Sequence, residues 1–417
     1  MRHRPGIRGK VAVPDSPNIP KRLIPAMPTR LPFRIRARNA VAALPFPDRP
    51  AIQTYSGRVA IYQGLLALGL GKGDTVLVPA YACGSEIDAV LKAGLEIRFY
   101  PVDNNLRPDM EVCNDILAQT PFAKALFVTH YFGFAQPIKA LREFADKNNL
   151  RLIEDCAHGF LSCDANGTPL GTSGDIGVFS YMKGLPLTDG GACVFNRSDI
   201  GATQDTLRQA NIRKLAGRFL FQVERSLETV APWAARIFDK GVRSPLRALK
   251  NIGKRQAVKS HVIGGSTGSE EMGILGLDLV QADWAISKIA RATLSRLDLT
   301  RVRDIRRRNY ELLLPVVNAL GNVRALFPEL PDGTCPLFFP IEIDDAATVQ
   351  RELATQGLGT KYFWSYFHDR FPRDEFPFEA ALKTRVLVLP VHQDLTAQDM
   401  AQVGEILTRV MQGRVVG

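Results

Sequence analysis

The spacing of apolar residues changes character several times along the chain. From about residue 51, short continuous apolar runs alternate with stretches whose apolar positions recur every three or four residues. Thr75-Val-Leu-Val-Pro79, Ile97-Arg-Phe-Tyr100, Ala125-Leu-Phe-Val-Thr129 and Leu150-Arg-Leu-Ile-Glu154 read as strands, and 58–70, 84–93 and 138–148 as helices. Strands that are apolar on both faces must be covered on both. The alternation therefore predicts an α/β fold around a mostly parallel sheet. Ligands of such sheets collect at the carboxyl ends of the strands, so the residues that follow each strand are the place to look for chemistry.

The pattern fails on either side of this region. Residues 1–50 are rich in Pro and Arg and read as an extended, basic arm. Residues 51–200 form the expected large α/β domain, and 201–270 a basic helical insert with amphipathic stretches over 219–230 and 234–240. A loop over 267–273 leads into the rest, 271–417, which opens with a helical stretch from about 275 to 320. Within that stretch the charge run 304–308 reads as a solvated face. From about 336, Leu337-Phe-Phe-Pro-Ile-Glu-Ile, a helix over 345–356, Val386-Leu-Val-Leu-Pro390 and a helix after Thr396 read as a smaller α+β domain.

Composition adds limits to this picture. A chain of 417 residues, 46% apolar and 23% charged, has enough material for two or three cores. No apolar run reaches the ~18 residues of a membrane span, and the basic N-terminus lacks the apolar stretch of a secretory signal. Six cysteines without CxxC spacing or a zinc-type cluster fit reduced thiols in the cytoplasm and imply no metal. The net charge of +11 is uneven: residues 1–40 and 201–262 each carry +9, leaving the remainder acidic. Neither basic segment interleaves aromatics in a nucleic-acid module, so no nucleic-acid partner is expected. Residues 219–255 combine basic and apolar sides, which suits peripheral contact with an anionic membrane at its inner face, or a cover over an active site or dimer seam.

Three segments carry candidate chemistry. Arg151-Leu-Ile-Glu-Asp155-Cys-Ala-His158 ends an apolar strand in a carboxylate, which can face a cationic ring nitrogen or simply cap a turn. Phe179-Ser180-Tyr-Met-Lys183 lies between a strand expected over 176–179 and the turn Asp189-Gly190-Gly191. An amine shielded from water there is a nucleophile toward an aldehyde; in open solvent it is an ordinary loop lysine. Ser180 can donate a hydrogen bond to a phosphate. Ser56-Gly57-Arg58-Val59-Ala60 opens a helix with small residues, leaving N–H groups for an anion, as many helix starts do.

Taken in this order, the three segments resemble the DegT/DnrJ/StrS family of pyridoxal 5'-phosphate (PLP)-dependent sugar aminotransferases. The resemblance extends through Gly71-Lys-Gly-Asp74, Val128-Thr-His130-Tyr-Phe-Gly133, Gly171-Thr-Ser-Gly-Asp175, Gln281-Ala-Asp and Leu389-Pro390-Val-His392, over roughly 52–200 and 270–412. It implies a fold-type I PLP-transferase: a large domain like that of aspartate aminotransferase and a small C-terminal α+β domain. It also implies Lys183 as the Schiff-base lysine, Asp155 against the pyridinium nitrogen, and Ser180 with the Ser56-Gly57-Arg58 turn on the phosphate. His158 falls where the family has Gln or His near the ring, or is a packed turn histidine. Tyr81 and Tyr131 are candidates to stack on the ring, with core packing the alternative, because Cys83 occupies the family's usual aromatic offset.

The resemblance further implies transfer of an amino group from glutamate or a similar donor to a keto-sugar, nucleotide-linked, by a homodimer. Dehydration or racemisation on the same scaffold, or a non-catalytic sensor, are the rival readings. Related dehydratases carry histidine in place of the lysine, so Lys183 argues against that branch. Two departures stand out. Ser180 and Lys183 are three apart where the family commonly has five, and the family's Asn-Tyr-Arg segment falls at Ile274-Leu275-Gly276.

Overall fold

The computed structural model describes residues 23–29, 46, 48–201, 206–244 and 276–414. Most of the N-terminal arm, the basic stretch 245–255, the loop over 267–273 and Ile274-Leu275 lie outside the described residues. Nine strands form the larger sheet: β1 (Ala51–Thr54), β2 (Thr75–Pro79), β3 (Glu96–Tyr100), β4 (Ala123–Thr129), β5 (Arg151–Cys156), β6 (Ile176–Ser180), β7 (Gly191–Phe195), β8 (Arg208–Gln209) and β9 (Trp284–Ala285). Their order is β3-β2-β4-β5-β6-β7-β1-β9-β8. Strands β2 to β6 run parallel to one another, whereas β7 is antiparallel to both β6 and β1.

The continuous apolar runs explain why this sheet is covered on both sides. Val76 and Val78 of β2 enter a core cluster with Ala60 and Leu65 of the helix Gly57–Ala67. Leu77, between them, points the other way, into a cluster with Leu126, Val128 and Leu152. Alternate residues of one strand thus serve opposite faces, as the period of two requires. The second cluster continues into a smaller antiparallel sheet made of β10 (Arg324–Ala325), β11 (Phe339–Glu342), β12 (Lys361–Tyr362) and β13 (Val386–Leu389), in the order β10-β11-β13-β12. Phe339, Ile341 and Leu387 of the small sheet therefore share one apolar interior with the large sheet. Residues 23–29 lie against the small sheet: Ile24 bridges Leu358, and Thr29 N–H donates to Asp394 at 2.8 Å.

Two expectations about residues 275–320 need correction. The stretch is not one helix. It contains a turn at Leu279–Gln281, the strand β9, the helix Lys288–Leu294 and, after a break capped by Asp298, the helix Leu299–Asn318. The charge run on that last helix is also not wholly solvated, because Arg306 is 2% exposed. Its guanidinium donates to Gln393 Oε1, Pro336 O, Leu337 O and Gly184 O. A long planar cation can be buried when carbonyl oxygens from several segments meet all of its donors.

Candidate active site

The parallel strands deliver their ends to one edge. Thr129 is in register with Asp155 across β4 and β5, and Asp155 with Val178 across β5 and β6. Asp155 therefore emerges beside Ser180, at the carboxyl end of the sheet. Just upstream on β5, Glu154 is fully buried and accepts hydrogen bonds from His130 Nε2 (3.0 Å), Gly171 N–H (3.0 Å), Ser173 N–H (2.7 Å) and Gly174 N–H. Burial alone would raise its pKa, but His130 and the backbone donors outweigh that and lower it. His130, Glu154 and Cys156 lie close enough to hold a metal ion, yet Glu154 has both oxygens taken by these donors. The trio reads as an anchor for the strand that carries Asp155.

Asp155 itself has no such compensation. It is 6% exposed, forms no salt bridge among the described residues, and its carboxylate accepts from Ala157 N–H at 2.8 Å. Burial pushes its pKa up to about 6, partly opposed by Lys183. A buried carboxylate short of a cationic partner suits a ligand that brings a positively charged ring nitrogen.

Ser180 and Lys183 occupy a single helical turn, Tyr181–Gly184, with Ser180 as its N-cap. The shortened interval seen in the sequence thus runs from Ser180, the extended last residue of β6, to the third residue of the single helical turn that follows. Lys183 Nζ lies 3.1 Å from His158 Nε2, and Phe132 N–H donates to His158 Nδ1 at 3.2 Å. Burial depresses the His158 pKa well below its ordinary value, with Lys183 adding to the effect. The ring is neutral, and the Phe132 bond assigns its proton to Nε2, facing the lysine.

The phosphate turn is built by close backbone approach. A Cβ at Gly57 would lie 2.9 Å from Ser180 Cβ, and one at Gly191 would lie 2.6 Å from the Ser56 carbonyl carbon and 2.7 Å from Gly57 N. Only glycines let the Asp189-Gly190-Gly191 turn, Ser56-Gly57 and Ser180 pack into one cradle. Asp189 fixes the turn by accepting from Ser287 N–H (2.7 Å) and Ser287 Oγ (2.8 Å). The helix Gly57–Ala67 begins here with no side-chain cap on its first N–H groups, which suits an oxyanion. Cradle, buried carboxylate and half-buried amine together fit a flat cofactor bearing a phosphate and a basic ring nitrogen.

Of the residues singled out by sequence, Ser56, Gly57, Arg58, Asp155, His158, Ser180 and Lys183 border this edge. Tyr81 and Tyr131 are in the core instead. Both are almost wholly buried, their rings 5.6 Å apart, and Tyr131 Oη donates to Tyr81 O at 2.8 Å. No hydrogen bond or ring contact joins Tyr81 to Lys183, His158 or Asp155 among the described residues. Sequence reasoning missed Trp364, whose ring lies 5.4 Å from His158 and 5.0 Å from Tyr81. Its backbone is left-handed (φ 63°), and buried Lys383 holds the segment by donating to Ala82, Trp364 and Tyr366 carbonyls. A left-handed tryptophan has no signature in the pattern of apolar residues.

The order of the large sheet and the smaller C-terminal sheet match the architecture of the fold-type I PLP-aminotransferases. The chain matches the DegT/DnrJ/EryC1/StrS aminotransferase family, whose model covers residues 43–224. The match runs into the basic segment expected to lie outside the family core. A UDP-N-acetyl-3-dehydro-α-D-glucosamine 3-aminotransferase of Acidithiobacillus ferrooxidans is 25% identical over 86% of this chain and 83% of its own. A GDP-perosamine synthase of Vibrio cholerae is 32% identical, over 39% of this chain and 44% of its own. Among solved structures, an aminotransferase from Psychrobacter cryohalolentis superposes with a TM-score of 0.60 at 19% identity, covering 87% of each chain. A DegT/DnrJ/EryC1/StrS aminotransferase from Brucella abortus gives 0.57 at 20% identity, covering 86% of this chain and 85% of that one. These structural likenesses concern the fold.

Proposed function

We propose that this protein transfers an amino group from glutamate, or a similar donor, to a keto-sugar carried on a nucleotide, with Lys183 as the amine that bonds PLP. The observation that carries the reading is Lys183 beside neutral His158, on the helical turn that follows Ser180 and across the strand ends from buried Asp155. When bound, PLP supplies an electron sink for the carbanion left by proton loss. Asp155 holds a proton on the ring nitrogen through its carboxylate. Ser180 Oγ and the N–H groups of Gly57 and Arg58 grip the phosphate. Lys183 Nζ takes a proton from the donor carbon and returns it to a neighbouring atom. His158 Nε2–H orients that amine, and Trp364 with the buried rings around it limits access of water.

The test is direct. Purified protein with PLP should be yellow, lose the colour in Lys183→Ala, and pass labelled nitrogen from glutamate to a keto-sugar nucleotide. Colourless wild-type protein after addition of PLP would sink the reading. A coloured protein that moves no label would favour dehydration or racemisation.

Two accompanying readings concern assembly. The apolar Leu279 and Val280 are 53% and 63% exposed, which supports a homodimer covering that edge. Trp233 and Ile237, one turn apart on the helix Pro232–Phe238, are 70% and 64% exposed beside exposed Lys240, which supports peripheral contact with an anionic membrane. No helix among the described residues is long and apolar enough to cross a membrane. Trp233→Ser/Ile237→Ser should reduce co-sedimentation with anionic vesicles severalfold; unchanged binding would remove the membrane reading.

A further inference from the structure

Among the described residues, the hydroxyl of Tyr55 has no hydrogen-bond partner, although the residue is only 1% exposed. A buried hydroxyl left unpaired costs free energy unless a ligand or water satisfies it. Tyr55 immediately precedes the Ser56-Gly57-Arg58 turn, and its backbone is pinned on both sides: its N–H donates to Trp284 O at 2.8 Å and its carbonyl accepts from Gly190 N–H at 2.7 Å. The ring is held edge-on to Trp284, 5.2 Å away.

Two arginines bracket this hydroxyl. Arg218, from the helix Ile212–Val230, stacks its guanidinium over the Tyr55 ring at 4.5 Å. Its Nη1 donates to Thr188 O at 3.3 Å and approaches Met182 Sδ at 3.8 Å, so it sits against the turn that carries Lys183. Its Nε and Nη2 have no protein partner among the described residues. Stacking fixes the plane of a guanidinium while leaving its edge for a bidentate anion. Arg58 comes from the other side, with Nη1 donating to Gly276 O at 2.8 Å. Both cations act on the Tyr55 hydroxyl: its pKa is raised first by burial, with Arg218 and Arg58 pulling it down and Asp189 pushing it up. Asp189 keeps its charge beside the pair, but its oxygens are engaged by Ser287 and Thr188 rather than by Arg218.

We propose that Arg58, Arg218 and the Tyr55 hydroxyl form a second phosphate subsite at the rim of the cofactor cradle, for the diphosphate of the nucleotide-linked acceptor. The inference deepens the acceptor reading given above and rests on it. The Ser180–Gly57 cradle already offers donors for one phosphate. The three groups lie beside it: Tyr55 and Arg58 flank Ser56-Gly57 in sequence, and Arg218 reaches the carbonyl of Thr188, next to the Asp189-Gly190-Gly191 turn. A linked diphosphate brings a second phosphate that needs donors beyond the cradle, while a single phosphate in the cradle does not. The basic helix thereby gains a purpose in its own subunit: it carries a cation to the mouth of the site.

The experiment is calorimetric titration of the full-length, PLP-loaded protein with uridine or guanosine diphosphate, pyrophosphate and inorganic phosphate. Arg218→Met and Arg58→Met should each weaken nucleoside diphosphate and pyrophosphate binding by ~10-fold or more, and Tyr55→Phe by a few-fold. Retention of PLP during dialysis should stay at the wild-type level in Arg218→Met and Tyr55→Phe. Arg218→Lys, with thermal unfolding at the wild-type temperature, should recover part of the loss, which separates lost charge from lost packing. Undiminished diphosphate binding in both methionine variants overturns the proposal. So does a defect confined to PLP retention, since it would assign the arginines to the cofactor's phosphate. Binding is read without turnover. A protein that binds diphosphate through these residues but moves no nitrogen keeps the subsite and loses the aminotransfer reading.

Discussion

Replacing Asp155 by Asn should make the cofactor-free protein more stable while removing its usefulness. In the fold the carboxyl pKa is about 6, against an ordinary value of 3.8, because burial penalises the anion more than Lys183 relieves it. A shift of about two units corresponds to roughly 3 kcal/mol. The raised value means that the fold prefers the protonated acid. The penalty is therefore absent below the unfolded pKa near 4, grows as pH rises toward 6, and is constant above it. Asn is nearly isosteric and its Oδ1 can still accept from Ala157 N–H, so the substitution removes the charge and little else. Urea unfolding of PLP-free wild type and Asp155→Asn should coincide near pH 4 and differ by about 3 kcal/mol at pH 8, with the variant more stable. Added PLP should stabilise the wild type strongly and the variant weakly. Retention of PLP by the wild type should itself weaken in acid, as Asp155 takes up a proton and no longer offers an anion. A variant less stable than wild type at pH 8, or a gap that ignores pH, would refute the reasoning.

The other predictions concern geometry. Gly191→Ala places a methyl 2.6–2.7 Å from the backbone of Ser56, Gly57 and Phe179, where no flexible side chain can yield. It should cost about 1–3 kcal/mol in urea unfolding and loosen PLP retention on dialysis; neither effect would mean that the cradle is slack. Arg306→Met strands the Pro336 and Leu337 carbonyls and Gln393 Oε1, partly offset by relief of a buried charge. A net loss of roughly 2–4 kcal/mol is expected, and an unchanged urea midpoint would count against the carbonyl cage.

The readable part of this molecule was the part whose residues answer to local rules. Continuous runs such as Thr75-Val-Leu-Val-Pro79 announce strands buried on both faces, and the strand-end position of Asp155 follows from where Arg151-Leu-Ile-Glu stops being apolar. The Ser180–Lys183 interval was visible as a departure, but its meaning, one helical turn, depends on backbone conformation. Arg306 was misread because a charge run on a helix says nothing of carbonyls contributed from residues 184 and 336–337. Tyr81 lay one strand-end from the site in sequence, yet its ring turned into the core against Tyr131 and Trp364. Arg218 lies in a segment whose sequence shows only basic charge and amphipathic stretches, since its contact with Tyr55 joins residues 163 positions apart.

Arg306 also links two events that are separate in many enzymes. The residue after Lys183 and the entrance to the small sheet share one guanidinium, so neither can peel away alone. Local opening of the small sheet and loosening of the lysine turn should belong to one cooperative unit, with a common rate. Cys335 sits sealed at this junction, 6% exposed, its thiol pushed up to about 11 by burial. The speed at which a thiol reagent reaches Cys335 is accordingly a clock for the breathing of the whole site.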